Sequence, residues 1–250
     1  MKSNKNFEII KNHNKKNVNI SVIITLYNYE KYICKAIDSV LKNKFKNLEI
    51  VIVNDCSKDN SYQKVLPYLS KKCNLTLIDK FKNSGLIDSR NLGIDICVGD
   101  YIFILDADNY LYDDCLEKHF YEIKKNEAIA CYGIIDCFDE ENNLVRHVSN
   151  MNFDYEKLKL GNYIDAMAMF HKEKLIKIGK YDTNLQKVGI GWEDFELWLR
   201  IGSLGYKVNF INQPLSRYLI KKESMLINTE KKHKINLANY LNNKYNAFIK

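Results

Sequence analysis

The chain has 250 residues, of which 46% are hydrophobic, only two are proline and ten are glycine. This composition supports a substantial core in one large or two small domains and excludes a disordered or linker-rich protein. No apolar stretch reaches about 18 residues and residues 1–17 lack an apolar core, so the sequence predicts neither a transmembrane span nor a secretory signal. We therefore expect a cytoplasmic location, with peripheral contact at the cytoplasmic membrane face as the closest approach to a membrane.

The net charge of +7 is concentrated at the two ends of the chain. Residues 1–17 carry +4 and residues 220–250 carry +5, so the other 202 residues carry about −2. A nucleic-acid-binding domain usually has its basic patch on the folded body, so this distribution argues against nucleic acid as a partner. We interpret the ends as solvated charge, with weak attraction to an anionic membrane surface as the alternative.

The seven cysteines are odd in number, lie mostly in apolar segments and include no C-x-x-C pair. This pattern favours reduced thiols in the core over zinc ligands or a disulfide framework.

Strand-like and helix-like segments alternate in the first part of the chain. β-branched apolar runs predict strands, and apolar residues at helical spacing predict helices, the first of them capped by Asn28. The predicted strands are 20–26, 48–53, 75–78 and 101–105, and the predicted helices are 30–41, 61–69 and 84–96. This alternation indicates a doubly wound, mostly parallel sheet.

The second part of the chain has a mixed pattern. It predicts helices at 112–125 and 193–204 and strands at 128–138, 144–148, 166–170 and 207–211, with a turn at 140–143. We divide the chain into a basic N-terminal tail (1–17), a folded domain (18–219) with halves at 18–109 and 110–219, and a basic helical segment (220–250).

An apolar strand leads directly into two carboxylates. Asp106 and Asp108 follow the uncharged residues 101–105, which suit a parallel strand covered on both faces. Ligands bind at the carboxyl ends of such strands, and carboxylate oxygens suit Mg²⁺ or Mn²⁺. The pair therefore indicates a metal and phosphate site, although acidic pairs also occur in turns and first helical turns.

Two polar clusters close the first two strands. Thr25 lies at the end of the first strand and Tyr27 directly follows it, where the tyrosine ring could stack on a planar base; an ordinary turn is the alternative. Asp55 follows the second strand, where it could accept hydrogen bonds from a ribose or a base; loop capping is the alternative.

Two further clusters lie in helices. An arginine at position 90 could reach a diphosphate, whereas the alternative is a surface arginine paired with Asp88 or Asp95. The helix dipole alone would explain the first-turn acids Glu193 and Asp194. The adjacent tryptophan at position 192 is typical of sugar-binding sites and favours a functional role.

Together these segments resemble the glycosyltransferases of family 2, which have the GT-A fold. The motifs T-x-Y-N, N-D-x-S-x-D, N-x-G-x-x-x-S-R-N-x-G, D-A-D and E-D-x-E-L-W-x-R occur in this order, and the resemblance covers about residues 18–225. It implies an α/β fold with a Rossmann-type, doubly wound, mostly parallel sheet. The first half would bind a nucleotide, and the mixed second half would bind an acceptor.

The resemblance implies an inverting enzyme that transfers a hexosyl or N-acetylhexosaminyl group from a nucleotide diphosphate sugar, with UDP as the expected nucleotide, to an acceptor hydroxyl. Mn²⁺ or Mg²⁺ would assist, bound by Asp108. Asp194 would be the general base, and Trp192 and Glu193 would shape the acceptor side. The nucleotide-sugar site would comprise Thr25, Leu26, Tyr27, Glu30, Asp55, Arg90, Asp106, Ala107, Asp108 and Lys221.

One segment departs from the family pattern. Family members often carry Y-R-x-H near the end of the domain, with a histidine that can ligate the metal, whereas this chain has Tyr218-Leu219-Ile220-Lys221. Lysine is a poor metal ligand but a good phosphate partner. The hypothesis is that Lys221 contacts the diphosphate while Asp108, phosphates and water hold the ion.

Two other functions compete with this interpretation. A haloacid dehalogenase-type phosphotransferase also places Asp-x-Asp after a strand, but it has Thr or Val where this chain has Tyr110. A non-catalytic sugar-nucleotide-binding protein of the same fold could have lost the histidine, but retention of both Asp108 and Asp194 argues against that.

The acceptor could be a glycan, a lipid-linked sugar or a protein side chain in surface glycan or glycoconjugate synthesis. The basic amphipathic C-terminal segment fits a lipid-linked acceptor at a membrane surface. A homodimer contact and an ordinary packed helix are the alternatives.

Overall fold

A computed structural model of the protein describes residues 6–12, 18–71, 73–189, 191–221 and 233–249. These residues form one mixed sheet of ten strands. The strands are β1 (Phe7–Asn12), β2 (Ile20–Leu26), β3 (Leu48–Asn54), β4 (Leu75–Lys80), β5 (Tyr101–Asp106), β6 (Tyr110–Leu111), β7 (Ala130–Phe138), β8 (Leu144–Val148), β9 (Met169–His171) and β10 (Val208–Leu219).

Helices cover the sheet. The α-helices are α1 (Ile33–Lys42), α2 (Ser61–Val65), α3 (Leu86–Ile96), α4 (Cys115–Ile123), α5 (Tyr155–Leu158), α6 (Lys172–Lys177), α7 (Leu185–Val188), α8 (Glu193–Ser203) and α9 (Lys234–Tyr245). Short 3₁₀ helices occupy Leu66–Ser70 and Lys125–Glu127.

The strand order is β1-β4-β3-β2-β5-β9-β7-β10-β6, and β8 pairs with β7. Strands β4, β3, β2 and β5 are parallel to one another, and β10 is parallel to β7. The other pairs are antiparallel. This arrangement confirms the predicted α/β fold with a mostly parallel nucleotide-side sheet and a mixed second half.

The central strands are buried on both faces. Ile24 of β2 packs in a core with Ile37 of α1, whereas the preceding residue, Ile23, packs in a second core with Ile94 of α3 and Leu199 of α8. Strands covered on both sides need uninterrupted apolar runs, and these runs predicted the central strands from the sequence. All seven cysteines are free; four of them are buried in the core, as predicted, whereas Cys34, Cys56 and Cys73 are partly exposed.

Several predicted boundaries need correction. Helix α1 begins at Ile33, and Asn28 does not cap it; Asn28 has a φ of 60°, and its Oδ1 accepts a hydrogen bond from the Lys58 N–H (2.7 Å). The helix predicted at 61–69 changes to 3₁₀ geometry at Leu66, next to a proline in its first turn. Strand β10 runs on through Pro214, where its pairing with β7 shifts register.

The predicted N-terminal tail contains a strand of the sheet. Strand β1 pairs antiparallel with β4, with Phe7 opposite Lys80 and Asn12 opposite Leu75. Its sequence, FEIIKN, is short and charged, as is typical of edge strands. Such a run among lysines does not by itself predict a strand.

The basic C-terminal segment contains α9, which packs on the domain. Its Lys244 Nζ binds Asp182 Oδ2 (2.6 Å) and Glu196 Oε1 (2.8 Å), and the Tyr245 hydroxyl also donates to Glu196. The buried side chains of the helix are Leu237, Ala238, Leu241 and Tyr245.

The apolar face of α9 thus packs against the rest of the domain, as the packed-helix alternative predicted. Among the described residues, no helix combines the length and apolar character needed to cross a bilayer. Contact of this segment with a membrane or a second subunit stays a prediction, and its residues 222–232 lie outside the described ranges.

The turn before β5 offers a test of the packing. A β-carbon on Gly99 would lie 2.8 Å from Ser21 N and 2.9 Å from Ile20 C in β2, and these backbone atoms cannot move independently of the sheet. Gly99→Ala should therefore lower the free energy of unfolding by about 1–3 kcal/mol, measured by urea unfolding.

Gly161→Ala is the matched control, since a β-carbon there would meet nothing within 4 Å. Its free energy of unfolding should stay within about 0.5 kcal/mol of the unsubstituted protein. Equal stabilities of the two variants would contradict the close approach at Gly99.

Candidate active site

Polar residues gather at the carboxyl edge of the parallel strands, as the strand pattern predicted. Thr25 in β2 is the register partner of Asp106 in β5, and Leu26 is the partner of Asn54 in β3. Asp55 follows Asn54 directly. Three of the motifs identified in the sequence therefore meet at one edge of the sheet, where ligands of such folds bind.

Arg90 is buried beneath this edge. Its Nη2 donates to Asp106 Oδ1 (2.9 Å) and its Nη1 to Glu193 Oε1 (2.6 Å), and its side chain is only 2% exposed. Asp88 and Asp95, the alternative surface partners, bind lysines instead. The arginine joins the end of β5 to the first turn of α8, so we assign it a positioning role in place of the expected contact with a diphosphate.

Glu193 is buried as the ion-pair partner of Arg90, and only 6% of its side chain is exposed. Glu193 therefore serves to hold Arg90. Of the two residues predicted to contact the acceptor, only Trp192 stays a candidate. Trp192 adopts a left-handed φ of 60° just before α8, and its ring centre lies 5.9 Å from that of Phe195. Its ring remains partly exposed.

Asp55 is engaged by protein groups. Its Oδ1 lies 2.7 Å from Lys80 Nζ and accepts the Ser84 N–H (2.9 Å), and its Oδ2 accepts the Gly85 N–H (2.8 Å). Asp55 thus fixes the start of α3, where Gly85 has a φ of 92° that favours glycine. Contact of Asp55 with a base or ribose stays a prediction. No sequence motif predicted the role of Lys80, since a strand-end lysine usually faces solvent.

The remaining predicted nucleotide-site residues differ in exposure. Tyr27 is 38% exposed at the end of β2, where its ring is available for stacking. Glu30 Oε2 accepts hydrogen bonds from Asn60 N and Nδ2 (2.8 Å each), which ties together two loops of the site. Leu26 and Ala107 are buried, so only their backbone groups could face a ligand.

Lys221 forms an ion pair with Asp108. Its Nζ lies 2.6 Å from Asp108 Oδ2, and the two side chains are 16% and 14% exposed. The same ammonium lies 4.1 Å from the ring centre of Tyr29 and 4.8 Å from that of Tyr32. The sequence did not predict either tyrosine as part of the site, because an aromatic residue at a helix start has many purely structural roles.

Two hydrogen bonds bring Lys221 to this place. The Leu219 N–H donates to Oδ1 of Asn109 (3.0 Å), which directly follows the carboxylate pair, and the Ile220 N–H donates to the Phe138 carbonyl (2.7 Å). The end of β10 is therefore fixed to the loop that carries the pair, and Lys221 follows two residues later.

The charges at this pair act on each other. Burial, followed by the negative charge of Asp106, raises the pKa of Asp108, and the nearby ammonium of Lys221 opposes that shift. Burial, the charges of both aspartates and a hydrogen bond to Asp108 raise the pKa of Tyr29. The tyrosine therefore stays neutral beside the carboxylates.

The residues present do not fit the predicted divalent ion. Mg²⁺ in proteins usually takes one or two carboxylates and completes its shell with phosphates and water. Here Arg90 binds Asp106 and Lys221 binds Asp108, so each carboxylate of the pair already has a cationic partner.

Asp194 lies in the first turn of α8 and is half-buried. Its Oδ1 accepts the Phe195 N–H (2.7 Å), and its Oδ2 accepts a hydrogen bond from Asn162 Nδ2 (3.3 Å). Burial, together with the charges of Glu193 and Asp165, raises the pKa of Asp194 well above its usual range. A carboxylate in this state takes up a proton more readily than an ordinary aspartate does.

Asp165 is a second acid at the site, and the sequence did not predict it. Burial and then the charge of Asp106 raise the pKa of Asp165 to about 7. Its Oδ1 accepts the Met167 N–H (2.9 Å), and its carbonyl accepts the Trp198 indole N–H (3.3 Å). A single aspartate between short apolar segments has no motif that could have identified it.

Comparisons with known proteins identify the family. Residues 21–179 match the sequence model described as Glycosyl transferase family 2. The chain belongs to glycosyl transferase family 2. This confirms the family that the ordered motifs predicted. The match ends before α8 and Lys221, so the roles of Asp194 and Lys221 depend on the motifs and on the geometry above.

Similar proteins cover most of the chain. An uncharacterized glycosyltransferase of Methanocaldococcus jannaschii is 27% identical over 86% of this chain and 76% of its own length. Glycosyltransferase GlyG of Streptococcus pneumoniae is 26% identical over 82% of this chain and 71% of its own.

A solved structure supports the fold. The structure of S. aureus TarS 1–349 in complex with UDP-GlcNAc has a TM-score of 0.70 at 19% identity and covers 84% of this chain. The chain spans only 61% of that TarS structure. The likeness confirms the GT-A fold, whereas substrates have to be argued from the site.

The Arg90 bridge predicts a large effect on stability. Arg90→Ala would leave Asp106 and Glu193 without their shared cation, and breaking a buried pair in this way typically costs about 3–5 kcal/mol. We expect a loss of this size in the free energy of unfolding, measured by urea titration.

Arg146→Ala serves as the matched control, because Arg146 lies exposed in β8. This variant should stay within about 0.5 kcal/mol of the unsubstituted protein. An Arg90→Ala protein as stable as the control would show that the bridge does not hold β5 and α8 together.

Proposed function

We propose that the protein is an inverting glycosyltransferase that moves a hexose or N-acetylhexosamine from a UDP-sugar to an acceptor hydroxyl, in surface glycan or glycoconjugate synthesis. The observation that carries this proposal is the environment of Asp194. Its pKa is raised, and the bridge from Glu193 through Arg90 to Asp106 ties its helix to the end of β5. The complex of TarS with UDP-GlcNAc supports a UDP-sugar as the first donor to test.

The reaction needs a proton acceptor on one side of the sugar and positive charge on the other. Asp194 takes the hydroxyl proton while the acceptor oxygen bonds to the anomeric carbon. The bond from that carbon to the donor phosphate breaks, and its electron pair stays on the nucleoside diphosphate. Because attack and departure occur on opposite faces in one step, the anomeric configuration inverts.

The raised pKa of Asp194 suits this role. A general base works best when its pKa lies near the working pH, and such a base typically contributes about 10²–10⁴-fold to the rate. Asn162 donates to Asp194 Oδ2 and thereby orients the carboxylate. The amide of Asn162 is itself fixed, because its Oδ1 accepts the Ile164 N–H (3.1 Å).

Trp192 defines the acceptor side in this proposal. Its partly exposed ring lies two residues before Asp194 and offers a flat apolar surface of the kind that binds sugar rings. We therefore favour an acceptor that presents a sugar next to the reacting hydroxyl, either in a glycan or on a lipid carrier. A protein side chain remains the alternative to test alongside them.

The phosphotransferase alternative has less support. Its mechanism requires the first aspartate of the pair as a free nucleophile, whereas Oδ1 of Asp106 is bound by Arg90. The family assignment also favours glycosyl transfer. Release of phosphate from phosphomonoesters, without turnover of any nucleotide sugar, would reverse this preference. A protein that binds nucleotide sugars but turns none over would support the non-catalytic alternative.

Replacement of Asp194 tests the proposed base. Incubating the protein with a panel of UDP-sugars and acceptors, and measuring released UDP, should identify a donor. With that donor, Asp194→Asn should lose about 10²–10⁴-fold in kcat while UDP affinity, measured by calorimetry, stays unchanged.

Asp95→Asn is the control for this substitution. Asp95 is a half-exposed aspartate that binds Lys180 on the surface, so its loss should leave both kcat and UDP affinity unchanged. Full activity of Asp194→Asn would rule out the proposed base.

The pH dependence follows from the raised pKa of Asp194. A raised pKa means that the carboxyl stays protonated, and inactive as a base, to a higher pH than an ordinary aspartate. The rate should therefore fall about tenfold for each pH unit below this pKa and level off above it. A kcat/KM profile that is flat from pH 5 upward would contradict the assignment.

A further inference from the structure

Internal cations balance both members of the carboxylate pair. Arg90 binds Asp106 from below the sheet edge, and Lys221 binds Asp108 from the end of β10. Arg90 is almost fully buried, whereas Lys221 keeps 16% of its side chain accessible. Of these two cations, Lys221 is the one that a bound diphosphate could contact.

The fold holds the Lys221 ammonium in place. Its backbone follows two residues that hydrogen-bond to Asn109 and to the Phe138 carbonyl. Its Nζ lies against the faces of Tyr29 and Tyr32, and aromatic faces attract cations. A lysine on a flexible surface loop would not have a carboxylate, two rings and a fixed backbone around it.

We propose that the Lys221 ammonium takes the place of the divalent ion in this protein, so that sugar transfer proceeds without a metal. The inference rests on the proposed function and adds a residue role to it. Lysine presents three N–H donors and a compact positive charge, which suit phosphate oxygens. A second cation at Asp108 would be repelled by the ammonium already there.

The chemical step balances with this assignment. The acceptor oxygen bonds to the anomeric carbon, its proton moves to Asp194, and the electron pair of the broken bond stays on the diphosphate oxygen. Lys221 donates a hydrogen bond to that oxygen and keeps its proton throughout. No metal and no further co-reactant are consumed or released.

Calorimetric titration of UDP into the full chain tests the assignment, with EDTA in one arm and Mn²⁺ in the other. The unsubstituted protein should bind UDP with affinities that agree within about twofold in both arms. In EDTA, Lys221→Ala should lose at least about tenfold in affinity, and Lys221→Arg should keep most of it.

Two further variants sharpen the test. Lys221→His restores the residue that the family often carries here, and its UDP affinity should rise at least about tenfold when Mn²⁺ replaces EDTA. Lys118→Ala removes a lysine–aspartate pair elsewhere, between Lys118 and Asp114 in the region of α4, and should bind UDP like the unsubstituted protein.

Different outcomes overturn different claims. If the unsubstituted protein needs Mn²⁺ for UDP binding, or if Lys221→Ala binds normally in EDTA, the role of Lys221 is wrong while the glycosyltransferase proposal stands. If neither UDP nor GDP, CDP, ADP or dTDP binds in either arm, the proposed function itself fails. Turnover of the identified donor in EDTA then extends the test from binding to catalysis.

Discussion

The guanidinium of Arg90 is the interaction on which the arrangement of the site depends. It is buried between Asp106 at the end of β5 and Glu193 at the start of α8, and it contacts both carboxylates. A buried charge is stabilised only when its hydrogen-bonding partners are present, so neither element can shift without leaving a charge unpaired. The helix that carries Asp194 is thereby fixed relative to the strand that carries the carboxylate pair.

The acidic residues of the site differ in whether a cation of the protein binds them. Arg90 binds Asp106 and Glu193, and Lys221 binds Asp108. Asp194 and Asp165 instead accept hydrogen bonds from amide groups, and burial raises the pKa of both. The acids of the site thus fall into two groups, those paired with an internal cation and those that accept hydrogen bonds only from amide groups, and the proposed base Asp194 belongs to the second group.

The sequence predicted the parallel core well, because strands buried on both faces leave long apolar runs. It also placed the carboxylate pair at a strand end. It did not predict the partners of Arg90 or Asp55, since contacts such as Arg90 with Glu193 join residues 103 positions apart. Asp165 and Lys80 belong to no motif. The replacement of the family histidine by Lys221 was visible, but its pairing with Asp108 depends on how β10 is anchored.

The central claim is that built-in cations, and not a metal, balance the carboxylate pair beneath the donor diphosphate. A crystal structure of the protein with UDP, grown in excess Mn²⁺ and recorded at a wavelength where manganese scatters anomalously, tests it most directly. We predict no anomalous peak at Asp108, the Lys221 ammonium within hydrogen-bonding distance of a phosphate oxygen, and Arg90 still bound to Asp106 and Glu193. A manganese peak between Asp108 and the diphosphate, with the lysine displaced, would contradict the account.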